Sequence, residues 1–261
     1  MNKVEILNKI DECEKARDFS AHTTPPNTKK ILPVADNYDY MQKGFFTQIG
    51  CSFGKTLFNV AKLVIPPYFK LKVVGKENLK GVKKAIVTSN HINNMDSILI
   101  KRAIGHNKLR ITVAPFNNYK SLLGKCMRGA GIMPIGESLP SLRHFSKAIT
   151  KYLDKNNYIL FYPEGSLWWC YEKPRPLIDG AYFYATKNNV PIIPMFFTFK
   201  NLKRKKNGIY RKQFILHIGK PIYPQDELSG KNNIKYLKEQ NMAFNTKTYE
   251  EFYDKKLEYL N

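Results

Sequence analysis

Between Lys84 and Gly219 short apolar runs alternate with stretches of helical periodicity. KAIVTSN (84–90), LRITVAP (109–115), GIMPI (131–135), YILFYP (158–163), VPIIPMFFTF (190–199) and FILHIG (214–219) read as strands. Several are continuously apolar rather than alternating, the pattern of strands buried on both faces. Between them SILIKRAIGH, YKSLLGKCMRG, SLRHFSKAITKYLDKN and DGAYFYATKNN place apolar residues at helical spacing. NNIKYLKEQNMAFNTKTYEEFYDKKLEYL ends the chain as one or two charged helices. Strand and helix in alternation predict an α/β fold with a mostly parallel sheet flanked by helices. The basic run LKRKKNGIYRK is expected to be an exposed turn joining the last two strands as an antiparallel pair.

Ahead of this region a short charged helix and a polar, Pro-containing link occupy the first forty-odd residues. FFTQIGCSFGKTLFNVAKLVI (45–65) then puts Phe46, Ile49, Phe53, Leu57, Val60 and Val64 on one face of a helix, which Pro66 and Pro67 should end. Such an amphipathic N-terminal helix either caps the core or lies in the headgroup layer of a membrane. The expected organisation is an N-terminal helical segment (1–69), an α/β domain (70–225) and a C-terminal helical extension of that domain (226–261).

Composition adds weight to the membrane reading. The 261 residues are 43% hydrophobic, enough for a packed core, and carry 43 Lys and Arg against 21 acids, a net charge of +22. A surplus of that size predicts an anionic partner: nucleic acid, a membrane surface or an acidic substrate. No helix-turn-helix, RNP-like or zinc-finger pattern supports nucleic acid as that partner. Cys13, Cys51, Cys126 and Cys170 are scattered, with no C-x-x-C and no metal-ligand spacing, which fits a reducing compartment. No apolar stretch reaches the ~18 residues of a spanning helix. The expected location is cytoplasmic, peripheral on the inner face of the cell membrane.

Two segments carry candidate chemistry. His91 directly follows the strand KAIVTSN, and Asp96 lies five residues on. Positions five apart on one helix diverge by roughly 140°. With His91 in the strand-to-helix turn and Asn93 or Asn94 as N-cap, Asp96 can reach back to the imidazole, fix its tautomer and leave the other nitrogen as a general base. The bland alternative is a surface histidine near an N-terminal aspartate. In the second segment, a strand runs into Pro163-Glu164-Gly165-Ser166, leaving a carboxylate at the strand's C-terminal end, where open parallel sheets place ligands. Glu164 is either an acceptor for substrate hydroxyls or a turn residue taking backbone N–H groups.

His91 and Glu164 stand at the ends of two different strands, and with their surroundings the chain resembles the glycerolipid acyltransferases of the 1-acylglycerol-3-phosphate acyltransferase type. The first block of that family, H-x-x-x-x-D, is His91-Ile92-Asn93-Asn94-Met95-Asp96, preceded by Asn90. The third is the Pro-Glu-Gly turn in Phe161–Ser166, and the fourth is the Pro-containing strand Val190–Pro194. Leu177–Ala185 resembles the helix between them. The likeness covers roughly residues 70–220 in the family's order.

Two positions depart from the family. The second block ends in Gly136 and the third continues with Leu167, where the family carries arginines thought to hold the acceptor's phosphate. Lys125 and Arg128 before the second block, and Lys173 and Arg175 after the third, are candidate substitutes. Arg128 and Arg175 lead because arginine binds phosphate bidentately. Solvated surface cations are the alternative. Trp168 and Trp169 read as either an acyl entrance or core.

The resemblance implies acyl transfer from acyl-CoA or acyl-carrier protein to a hydroxyl of a lysophospholipid in phospholipid synthesis. His91 would be the base and Asp96 its orienter, with Glu164, Gly165, Ser166, Arg175, Arg128 and Lys125 around the substrate. The expected partners are an anionic membrane surface, the lysolipid acceptor and the acyl donor. A thiol leaves readily, so no metal, other cofactor or covalent enzyme intermediate is required. The alternatives are a basic nucleic-acid-binding protein, a relative acting on a phosphate-free acceptor, and an inactive lipid-binding relative.

Overall fold

The computed structural model describes residues 2–24, 31–41, 45–105, 108–206 and 208–261. Among these, seven strands form one sheet: β1 (Lys72–Val74), β2 (Ala85–Ser89), β3 (Leu109–Val113), β4 (Ile132–Pro134), β5 (Tyr158–Phe161), β6 (Ile192–Lys206) and β7 (Ile209–Ile218). Their order is β1-β7-β6-β2-β5-β3-β4, and every neighbouring pair is parallel except β6 with β7. Six of the strands are the six apolar runs. β1, three residues long, has no such run to announce it.

Both faces of the sheet are covered. Ile86, Ile159 and Ile192 pack on one side with Phe145 and Ile149 of α5 (Leu139–Asp154), Tyr182 of α6 (Gly180–Lys187) and Leu237 of α7 (Gly230–Tyr253). Val87, Leu160 and Ile193, the next residue along each strand, face the other way onto Leu99 and Ile100 of α3 (Asp96–Ile104). Alternate side chains thus enter two separate cores, which is why these strands read as unbroken apolar runs. A polar seam pins α7: Thr88 and Tyr182 donate hydroxyl hydrogens to Asn241 Oδ1 at 2.6 and 2.9 Å.

Two further helices flank this core. The N-terminal α1 (Lys3–Lys15) starts on a capping box between Asn2 and Glu5. Next, α2 (Phe45–Tyr68) packs against α3 and α4 (Leu122–Gly129). The apolar stripe predicted on α2 is not the face that packs. Phe53, Leu57, Val60 and Val64 are 45–65% exposed, so these residues do not cap the core. The side chains of Phe46 and Ile49 lie outside the described residues. No helix among the described residues is long and apolar enough to cross a membrane.

Three boundaries differ from expectation. Most of the basic run 202–212 is strand rather than turn: β6 reaches Lys206 and β7 starts at Ile209, with Asn201 opposite Lys212 and Lys205 opposite Tyr210. That end of the ribbon carries exposed, charged side chains, so hydrophobic alternation does not mark it. Pro66 and Pro67 fall inside the last turn of α2 rather than ending it. Proline's fixed φ suits a helical turn, and their carbonyls accept from Leu71 and Lys70 N–H, each at 3.0 Å. At the other end α7 is one helix that stops at Tyr253, where Asp254 turns left-handed at φ 51°, and the last residues are not helical.

Candidate active site

β2 and β5 pair in register, Thr88 opposite Phe161, so His91 and Glu164 each stand three residues beyond a matched pair at the same sheet edge. At the end of β2, Asn90 bonds the β6 backbone like a strand residue turned sideways. Its Nδ2 donates to Phe197 O at 3.0 Å and its Oδ1 accepts from Phe197 N at 2.7 Å. This fixes the point from which the chain leaves the sheet.

The following turn is folded around one carboxylate oxygen. Asp96 Oδ2 accepts from His91 Nδ1 at 3.0 Å, Ile92 N at 2.8 Å and Asn93 N at 2.9 Å. Asp96 opens α3 and is fully buried, whereas the His91 side chain is 25% exposed. Burial pushes the Asp96 carboxyl up from its ordinary value, against the lowering effect of the His91, Asn93 and Ile92 hydrogen bonds. The expected N-cap is displaced. Met95 occupies that position without a side-chain bond, because Asp96 takes the N–H groups of the turn and Asn93 Oδ1 accepts from Met95 N. With Nδ1 donating to Asp96, the lone pair of the neutral imidazole resides on Nε2. The ring lies flat on Tyr162, centroids 4.0 Å apart and 17° from parallel. Tyr162 is absent from the expected site, although its place just before Pro163 was the available signal.

Glu164 holds the same turn from below. Its Oε2 accepts from His91 N at 3.3 Å and from Arg175 Nη2 and Nε at 2.9 and 3.2 Å, while Oε1 accepts from Arg175 N at 3.1 Å. Gly165, exposed at φ 82°, turns the chain where a side chain would be strained, and its N–H bonds Tyr162 O at 3.0 Å. The chain then runs back along the His91–Asp96 turn, Trp168 N donating to His91 O at 3.0 Å and Cys170 N to Ile92 O at 2.9 Å.

This arrangement corrects the expected substrate-binding role of Arg175 and Ser166 and selects one of the two readings left open for Glu164 and for Trp168. Arg175 is wholly buried beneath Trp168, its ring 4.6 Å from the guanidinium carbon, with Nη1 donating to Phe19 O and Ser166 Oγ, each at 2.9 Å. Its donors are spent inside the protein and do not await a phosphate. Ser166 and Glu164, both buried, are likewise committed to Arg175 and the His91 turn rather than to substrate hydroxyls. Trp168 is core, its Nε1 donating to Ala21 O at 2.9 Å. Lys173 pairs with the buried Glu14 at 2.6 Å. Arg128 grips Asn118 Oδ1 at 2.9 Å and Tyr119 O at 2.8 Å, and Lys125 is exposed on α4. Neither makes a hydrogen bond or ion pair to His91, Asp96 or Glu164.

Residues 70–198 match the family model described as Acyltransferase. An uncharacterised acyltransferase of Schizosaccharomyces pombe is 28% identical over 163 residues, 60% of this chain and 57% of that protein. The aligned region is thus little more than half of that relative's length. Among solved structures, the 1-acyl-sn-glycerophosphate acyltransferase PlsC from Thermotoga maritima shares the fold with a TM-score of 0.55, at 15% identity, covering 84% of this chain and all of that one. The matched segment contains both the His91–Asp96 turn and the Pro163-Glu164-Gly165 turn that supports it, and through it this chain is similar to the acyltransferase family.

Proposed function

We propose that the protein moves a fatty acyl group from acyl-CoA or acyl-carrier protein to a hydroxyl of a lysophospholipid, 1-acylglycerol 3-phosphate or a related acceptor, in phospholipid synthesis. The observation that carries this reading is the His91 ring, anchored through Nδ1 on buried Asp96 with Nε2 free at the C-terminal edge of the sheet. The acceptor hydroxyl gives its proton to Nε2 as its oxygen attacks the thioester carbonyl. The tetrahedral adduct then collapses, the C–S bond breaks, and the sulfur leaves with the proton returned by the imidazolium. Asp96 stabilises the transient positive ring and Tyr162 keeps it in plane. The shared fold of PlsC, a 1-acyl-sn-glycerophosphate (LPA) acyltransferase, supports the choice of acceptor class.

A lipid acceptor also accounts for the exposed stripe of α2. That stripe is an apolar face suited to the interfacial layer of an anionic membrane, and Leu122 and Leu123 of α4, the helix packed against α2, are exposed as well. Purified protein assayed with a panel of lysolipids, using acyl-CoA and acyl-carrier protein as donors, tests the reading. His91→Ala should lower turnover at least ~10²-fold with the fold intact. Wild-type turnover in the folded variant refutes the mechanism.

A further inference from the structure

The motif blocks supply no cation for an acceptor phosphate: Gly136 and Leu167 replace the expected arginines, and Arg175 is enclosed. Position 136 cannot regain one as the chain stands, since a Cβ there would lie 2.5 Å from Ser141 Oγ. Cations gather instead on the other flank of the catalytic turn. A hollow of about 170 Å³ opens there, lined among others by Lys3, Tyr68, Asn93, Trp169, Arg211 and Lys212. Asn93 belongs to the turn itself, its N–H on Asp96 Oδ2. Cys170, also in the wall, bonds Ile92. The hollow and the dyad therefore share one piece of backbone.

Its three cations are positioned without being neutralised. Arg211 donates from Nη2 to Tyr68 O at 2.8 Å with its guanidinium 4.4 Å from the Tyr68 ring centroid. Lys212 Nζ donates to Asn201 Oδ1 at 2.6 Å, and Lys3 Nζ sits 4.7 Å from the Trp169 ring centroid. These partners are neutral oxygens and rings, and no carboxylate lines the hollow. Like charges held together repel, and a bound anion relieves that repulsion. Arg211 also retains guanidinium donors beyond the one given to Tyr68 O.

We infer that this hollow receives the phosphate of the glycerolipid acceptor, doing the work of the two missing arginines; the inference rests on the acyl-transfer reading above. Two features select the acceptor over the acyl donor. The volume falls below the ~300–1,000 Å³ of sites that enclose a drug-sized ligand, so it suits a single phosphate-bearing end group rather than a nucleotide. Tyr68 lies four residues beyond Val64 and, itself exposed, continues the apolar stripe of α2. A lysolipid lying along that stripe brings its head group to the hollow.

The test pairs binding with kinetics on the full chain. Without donor, wild type and the Arg211→Ala/Lys212→Ala variant are titrated with short-chain 1-acylglycerol 3-phosphate and with the matched monoacylglycerol. Loss of charge-assisted contacts should weaken phosphate-bearing acceptor binding about tenfold to a hundredfold and leave the monoacylglycerol unaffected. In turnover assays the acceptor KM should rise while the acyl-donor KM holds, and Arg211→Lys should recover only part of the loss. Lys3→Glu, a change on the exposed first turn of α1, should act in the same direction should the double variant fold poorly. Unchanged acceptor binding in folded variants overturns the inference, as does a rise confined to the donor KM. If wild type transfers no acyl group to any lysolipid, the acyl-transfer reading falls, and the donor-free titration still decides whether the hollow holds a phosphate.

Discussion

Replacing Arg175 with Ala probes the support beneath the His91–Asp96 turn. The pair it forms with Glu164 is inaccessible to solvent, with Nη2 2.9 Å and Nε 3.2 Å from Oε2. Removing the guanidinium leaves the carboxylate buried with only the N–H groups of residues 91 and 175 as partners. Breaking a buried pair from one side costs ~3–5 kcal/mol, because an uncompensated charge stays behind. In a chain of this size each kcal/mol moves Tm by roughly 2–4 °C, so the melt should fall by about 6–20 °C. Adding Glu164→Gln to an Arg175→Met background should restore part of this, since the stranded charge is gone. Glu164 also holds the His91 N–H, so kcat should drop at temperatures where the variant is folded, equally for phosphate-bearing and neutral acceptors. Thermal melts and initial rates over the two acceptor classes read this out. An unchanged melt together with a KM rise limited to phosphate-bearing acceptors refutes the argument and puts the guanidinium on the substrate.

Two other consequences follow from exposure and burial. Changing Phe53, Leu57 and Val60 together to Ser should weaken co-sedimentation with anionic vesicles at least tenfold, at ~1.5–3 kcal/mol per fully inserted side chain. The melt should barely move, because all three are already exposed in the fold; a collapse of stability with unchanged vesicle binding would show the stripe to be packing surface. Burial lowers the His217 pKa below its ordinary 6.5, with Thr198 Oγ1 2.9 Å from Nε2. The folded state therefore resists protonation, and its stability contribution, present above pH ~6.5, is lost as pH falls through the lowered folded value. His217→Gln should flatten that acid limb in urea denaturation run from pH 7 downward, and an identical pH dependence in both proteins counts against it.

Much of the molecule is readable from local pattern because the physics that formed it is local. Six strands announce themselves through apolar runs, continuous in those such as β2 and β5 whose every residue is buried. The His91–Asp96 pairing is likewise legible: a strand that stops, a turn and a helix that starts leave few ways for residues five apart to meet. The register that levels His91 with Glu164 follows from two such strands lying side by side. α7 shows the limit. Its buried positions include Asn233, Asn241, Asn245 and Thr248, so no apolar periodicity marks the face that docks, and its partners Thr88 and Tyr182 lie more than fifty residues away.

The alternation of elements and the motif spacing determined the α/β sheet, the acyltransferase resemblance and the His91–Asp96 pairing. Tertiary structure decided what each charge faces. Arg175 and Arg211 are the same residue type, and nothing in their neighbours along the chain says that one is sealed against Glu164 while the other rims an open hollow. Solvent access and partner identity come from segments brought together across the fold: residues 14–19 and the third block around Arg175, and α1, the end of α2 and β7 around Arg211. A guanidinium's role is set by which carboxylate, if any, reaches it first, and that distance exists only once the chain has packed.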